Sequence, residues 1–215
     1  MSVRSSFPSN FLSLPLLHGI QLKTMKILVA LLSVLWLGSV QCLTTDERDA
    51  ALQYLTQLRE NVQPPASNMM LLNYSVELEQ IAERYLSRCP DNHPDPLVDT
   101  EFNGTTMTIK SYSPYKPSVL EYLQDYQSSL RFCDSQHRHF AFCQSHRKMV
   151  WAQSTEVGCA IHFCGPARHS NYLIGCLYKP GMNNPPDQTY TVGESCSQCP
   201  QGYSCYRKQC TKASA

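Results

Sequence analysis

Eleven cysteines in 215 residues constrain this chain more than any other feature. So many thiols serve either a disulfide framework or zinc ligation, and the compartment decides between the two. Met25-Lys26 is followed by an uncharged apolar run, Ile27 to Gly38, and then by small residues leading to Val40-Gln41-Cys42. Valine and cysteine take the −3 and −1 places of a secretory cleavage site, so residues 25–42 read as a signal peptide and 1–24 as an upstream extension. The apolar run is too short to span a bilayer, and no transmembrane anchor is expected. Cleavage after Cys42 leaves ten cysteines, an even number in an oxidising compartment, which favours disulfides over metal.

Cleavage also changes the charge. Arg4, Lys23 and Lys26 leave with the signal and no acid does, so fifteen of the eighteen bases face seventeen acids and the net charge is about −2. With no basic stripe, nucleic acid is not an expected partner. Asn73-Tyr74-Ser75 and Asn103-Gly104-Thr105 are glycosylation sequons. The remaining length suits one domain with a real core plus a small appendage.

Along the chain, Thr44-Thr45-Asp46-Glu47 has the spacing of a capping box. Ala51, Tyr54, Leu55, Leu58 and Val62 then line one helical face, and Pro64-Pro65 stops it. Ser75 caps a second helix with Leu78, Ile81, Ala82, Tyr85 and Cys89 on one side. Pro90, Pro94 and Pro96 make the next stretch irregular, and it carries His93; a short strand is expected within 101–110. Ser118 with Glu121 opens a third helix lined by Val119, Tyr122, Leu123, Tyr126 and Leu130. Cys133 and Cys143 bracket a polar loop holding His137 and His139, and a short helix over 146–152 follows. Val157, Cys159, Ile161 and Phe163 alternate as in a half-buried strand, and Tyr172, Ile174, Cys176 and Tyr178 do the same. Alternation points Cys159 and Cys176 inward, as a bolt between paired strands. Residues 185–195 read as a linker. The tail, 196–215, has four cysteines and little to bury, so covalent staples must hold it.

The order of helix, helix, irregular His segment, helix and Met149-Val150-Trp151 helix, then Cys176-Leu177-Tyr178-Lys179-Pro180-Gly181-Met182-Asn183, resembles the CAP superfamily. That superfamily comprises cysteine-rich secretory proteins, antigen 5 and pathogenesis-related class 1 proteins. Pro64-Pro65-Ala66-Ser67-Asn68-Met69 is similar to its stretch after the first helix. Cys196-Ser197-Gln198-Cys199-Pro200-Gln201-Gly202-Tyr203-Ser204-Cys205 looks like the short module of the peptidase-inhibitor-like and venom-allergen-like secreted branches. The resemblance implies a CAP domain over 43–184, an α+β fold built as a three-layer α-β-α sandwich with a small antiparallel sheet, and a short disulfide-rich C-terminal module. It also implies the pairs Cys89–Cys164, Cys133–Cys143, Cys159–Cys176, Cys196–Cys205 and Cys199–Cys210, which spacing alone does not select.

Members of the superfamily gather two histidines and two acids around a cleft, and some bind a divalent metal there. Carried over, the first histidine is His93, the first acid Glu101 and the helix acid Asp125, three residues after Tyr122. The second histidine belongs six residues before Trp151, where this chain has Ser145; His146 is one residue late. One residue is a turn of about 100° on a helix, so His146 projects elsewhere. A hydroxyl is a poorer ligand for zinc than imidazole. The expectation is a degenerate tetrad with no metal and no cofactor, His146, His137 and His139 being the only substitutes. Ser145 beside His146 does not make a nucleophile and base, because neighbours on a helix point apart, and no G-x-S-x-G turn surrounds Ser145. An enzyme is therefore not expected. The resemblance implies instead an extracellular binding module for lipid, sterol or other apolar ligands. The alternative is a protein partner, as in a protease inhibitor or receptor modulator, met through the loops and through Tyr203, Tyr206, Arg207 and Lys208 of the tail.

Overall fold

The computed structural model describes residues 42–129, 133, 141–165, 170–182 and 188–212. The expected extension, most of the signal peptide, Leu130, His137, His139, Asn183 and the residues 185–187 of the linker lie outside the described residues. The described residues form one compact unit.

Helix α1, Thr45–Glu60, starts at Thr44, whose hydroxyl accepts from the Glu47 amide while the Glu47 carboxylate accepts from the Thr44 amide. This is the reciprocal box the sequence announces. Strand β1, Asn73–Tyr74, runs into helix α2, Val76–Leu86, which Ser75 caps at the Leu78 amide. Helix α2 ends at Leu86, three residues earlier than the cysteine that the sequence pattern places on it. Cys89 lies past the end with φ +50° and pairs with buried Cys164, closing a span of 75 residues. A short 3-10 turn, Thr100–Phe102, leads to strand β2, Thr106–Tyr112. Helix α3 is Val119–Ser129 and helix α4 is Ala141–Met149.

Helix α4 sits earlier than the expected 146–152, and Arg59 of α1 supplies the reason. Its guanidinium, 1% exposed, donates from Nη1 to the carbonyls of Met149 and Trp151, both at 2.9 Å. Its Nη2 donates to Met70, Ala152 and Ser154 at 2.8, 3.3 and 3.2 Å. A buried cation collecting the carbonyls that a helix leaves orphaned at its C-terminus fixes where that helix stops. Burial lowers the Arg59 pKa to about 9, still charged at neutral pH.

Strands β3, Glu156–Cys164, and β4, Asn171–Lys179, form the antiparallel centre of a four-stranded sheet ordered β1-β3-β4-β2. Cys159 and Cys176 face each other in register, 4.0 Å between Cα atoms, and are bonded. The sheet is mixed rather than purely antiparallel, because β1 pairs parallel with β3 through Asn73↔Glu156 and Tyr74↔Val157. Period-two alternation then divides the core. Val157, Cys159, Ile161, Ile174, Cys176 and Tyr178 pack under α1, α3 and α4. On the other face Ala160, Cys164, Leu173 and Leu177 pack under α2. This is the three-layer arrangement.

The tail forms a hairpin of β5, Tyr203–Tyr206, and β6, Gln209–Lys212, stapled by Cys196–Cys205 and Cys199–Cys210. Contrary to a reading in which it buries little, it is hydrogen-bonded to the body. Cys210 is 1% exposed, its amide donates to Met69 O at 2.6 Å, and its carbonyl accepts from the Leu71 amide. Gln209 donates to Thr56 O, and Arg207 pairs with Glu60 at 2.7 Å. Of the four tail residues expected to form a recognition surface, Tyr206 and Lys208 are exposed while Tyr203 and Arg207 are half-buried.

Candidate functional site

The face of α4 that carries Ser145 and Lys148, three residues apart, lies over β2. Strand β2 is an edge of the sheet, and an edge leaves carbonyls in need of donors. The side chains above it answer that need. Lys148 Nζ donates to Met107 O at 3.0 Å, and Tyr126 Oη of α3 donates to Ile109 O at 3.1 Å. Ser145, 5% exposed, hydrogen-bonds to the Tyr126 hydroxyl, and Tyr122 Oη reaches Thr108 Oγ1 at 2.6 Å.

The two acids expected in the cleft are already engaged with cations of the same chain. Asp125 accepts from Lys110 Nζ at 2.8 Å and, in a very short bond, from the Tyr112 hydroxyl. Burial alone raises a carboxyl pKa, but these two donors outweigh it and hold Asp125 below its usual value. Glu101 binds Arg84 at 2.9 Å and Arg88 at 3.4 Å. His93 is exposed by surface area and lines a cavity of about 410 Å³ with Asn92, Ile109, Lys110 and Ser111. Its pKa is lowered first by desolvation of the ring and second by the charge of Lys148. His146 lies in a different place. With Pro64, Val150, Tyr190 and Val192 it lines a separate cavity of about 540 Å³. Burial, and then Arg147, push its pKa down to about 4, so it is neutral at physiological pH.

Of the five expected residues, His146 stands apart from His93, because the two line different cavities. Ser145 faces Tyr126, His146 faces the other cavity, and Glu101 and Asp125 answer arginines and a lysine. Among the described residues no three His, Cys, Asp or Glu side chains converge as metal ligands. A divalent ion of the kind the resemblance implies does not fit this donor set, since its carboxylates are ion-paired and a buried ammonium stands on the same helix face. The Ser145–His146 neighbours likewise do not meet as nucleophile and base. Both sequon asparagines, Asn73 and Asn103, are exposed.

The pattern reading overlooked Lys148. It is 8% exposed and has no carboxylate partner among the described residues. Its position three residues after Ser145 was the available signal, because i and i+3 share a helix face. Desolvation lowers its pKa from 10.5 to about 8. For a base whose folded pKa is depressed, the unfolded chain binds the proton more tightly, so the penalty is full below pH 8 and is relieved as pH rises from 8 towards 10.5. A shift of that size corresponds to about 3 kcal/mol, offset by the lost charge-assisted bond to Met107, about 1.5–3 kcal/mol. Lys148→Met is therefore expected to leave thermal stability at pH 7 near wild type and to lose ground to wild type as pH rises above 8. Melting curves of both proteins at pH 7, 8 and 9.5 read this directly.

The model of the CAP, cysteine-rich secretory protein, family matches residues 52–178. Peptidase inhibitor 16 of Mus musculus is 29% identical over 181 residues, covering 80% of this chain and 35% of its own. Glioma pathogenesis-related protein 1 of Mus musculus is 30% identical over 169 residues, covering 74% of this chain and 62% of its own. The chain thus spans about a third of the first of these relatives and under two thirds of the second. Among solved structures, that of NaASP2 with Zn2+ superposes with a TM-score of 0.62 at 19% identity, covering 80% of this chain and 98% of that one. At that identity the likeness is one of fold. No helix among the described residues is long and apolar enough to cross a membrane.

Proposed function

The chain belongs to the CAP family of cysteine-rich secretory proteins, and from that premise we propose that it works outside the cell as a non-catalytic binding module whose partner is another protein. Entry into the secretory path rests on the signal at 25–42, and the exposed Asn73 and Asn103 are proposed glycan sites. The relatives named peptidase inhibitors agree with a role that binds without turning over.

One observation carries the choice of a protein partner. Leu97 and Val98 are 92% and 77% exposed, the highest values among the exposed large hydrophobic residues, and the turn that presents them is rigid. Asp95 Oδ1 accepts from the Leu97 amide at 3.0 Å, and Asp95 O accepts from the amides of Val98 and Asp99 at 2.9 and 2.7 Å. Pro94 and Pro96 fix φ on either side of Asp95, whose side chain and carbonyl hold the turn. Arg88 clamps Asp99 at 2.6 Å. Exposed apolar side chains on a rigid support lose little conformational entropy when a partner covers them, which is how small anchors come to dominate binding.

A second reading, carriage of an apolar ligand, is favoured by the cavity of about 540 Å³, whose walls include Pro64, Val150, Tyr190 and Val192. That volume lies within the range of small-molecule sites. Because the tail is hydrogen-bonded into the body, point variants separate the readings more cleanly than truncation. Wild type and Leu97→Ser/Val98→Ser, purified as secreted proteins, are immobilised and exposed to the extracellular fluid of the source. The protein reading expects a partner retained at least tenfold better by wild type; equal retention removes it. Saturable binding of labelled cholesterol or palmitate, unchanged in the double variant, moves the assignment to the second reading.

A further inference from the structure

We infer that beneath α4, on the side of β2 that His93 lines, the chain carries its own ammonium, Lys148, in place of a divalent cation, so that no divalent metal is taken up there. Three independent features converge on this. The first is the donor set. The position where an imidazole is expected holds Ser145, which is buried and hydrogen-bonded to Tyr126. The second is the state of the acids. Asp125 is answered by Lys110 and Tyr112, and Glu101 by Arg84 and Arg88, so neither carboxylate offers a free pair of oxygens to an incoming ion. The third is Lys148 itself, nine-tenths buried and held at Met107 O by one of its three donors. Its charge reaches His93, the one imidazole on this side of α4 among the described residues.

A doubly charged ion beside His93 would meet the charge of that buried ammonium, which its surroundings screen less than bulk water would. The same lysine does structural work that a metal would otherwise do. It ties α4 to the open edge of β2 by satisfying a carbonyl, so the helix needs no bridging ion to stay in place. The inference stands apart from the loop at Leu97 and Val98, and its test does not depend on any partner.

Zinc chloride is the probe, titrated calorimetrically into the secreted full chain after chelator treatment. Wild type is expected to show no saturable uptake below millimolar zinc. Restoring the imidazole alone, Ser145→His, is expected to give weak binding at most. Removing the ammonium as well, Ser145→His/Lys148→Gln, is expected to tighten zinc at least tenfold over Ser145→His. Wild-type uptake of one zinc with micromolar affinity, lost in His93→Gln, overturns the inference. Equal affinity in the single and double variants, absence of binding included, overturns the part assigned to Lys148. Histidine is large for a buried serine site, so the same comparison is made with Ser145→Cys and Ser145→Cys/Lys148→Gln, in which the thiolate is a zinc ligand of nearly the serine's volume. The same tenfold difference is expected and the same equality overturns it.

Discussion

Arg59→Met is expected to lower stability by about 4 kcal/mol, because five carbonyls lose the guanidinium's donors and those of Trp151 and Ala152 are left with one backbone amide each, from Ser154 and Met70. The guanidinium gathers Met149, Trp151, Met70, Ala152 and Ser154, so a single side chain closes the ends of α4, the approach to β1 and the approach to β3. Methionine fills much of the volume but donates nothing. Five bonds at a net 1–3 kcal/mol each would exceed the stability of many whole domains. The chain relaxes and admits water well before that sum is reached, which sets the smaller figure. For a body of this size about 4 kcal/mol is a fall in melting temperature of roughly 8–16 °C. Arg59→Lys is the informative control: three donors on a flexible stem can reach some of the carbonyls, and about half the loss should return. A melting temperature for Arg59→Met within two degrees of wild type would show that the carbonyls find other partners and that α4 does not depend on α1 for its end.

Arg59 also marks the limit of what the sequence discloses. The helical pattern of α1 is legible from its apolar residues, and an arginine on the same stripe reads as a solvated charge. Only the fold reveals that it points inward at chain segments about ninety residues away. The two central strands are legible because Val157, Cys159 and Ile161, and Ile174, Cys176 and Tyr178, alternate onto one face; Phe163, which the same alternation turns inward, is instead 43% exposed near the strand end, and that the two cysteines also stand opposite each other is a matter of register, which alternation leaves open. The parallel pairing of β1 is not legible, since two residues carry no period. In the cleft, the spacing to Trp151 puts Ser145 where the resemblance implies an imidazole. The engagement of Asp125 with Lys110, and of Glu101 with Arg84 and Arg88, is not. Those pairs join residues from 13 to 17 positions apart on different elements, and nothing local encodes them. Lys148 hides for the opposite reason. Lysine is so rarely buried without a partner that a pattern reading leaves it on the surface by default.

Gly158→Ala tests the other joint on which the sandwich depends. A Cβ at this position would lie 2.2 Å from Glu79 N, 2.5 Å from Ser75 O and 2.7 Å from Leu78 C, all of them backbone atoms at the start of α2. No side chain can swing aside to make room, so α2 itself must lift off β3. That movement would pull on the Ser75 amide bonded to Val157 O at 2.8 Å. It would also disturb Glu79, 3% exposed, whose carboxylate accepts from Arg48 at 2.7 and 2.8 Å and from Tyr74 at 2.6 Å. Overpacking of a core costs about 1–3 kcal/mol when side chains adjust; with main chain as the obstacle and a buried ion pair attached to it, a loss of about 3 kcal/mol or more and a sharp fall in secreted yield are expected. Gly165→Ala is the matched control, since a Cβ there meets nothing within 4 Å and the same substitution should leave melting temperature and yield near wild type. Equal behaviour of the two variants would mean that α2 rides on β3 with room to spare. The absence of a side chain at Gly158 would then not be what brings the outer helix close enough to seal the second face of the sheet.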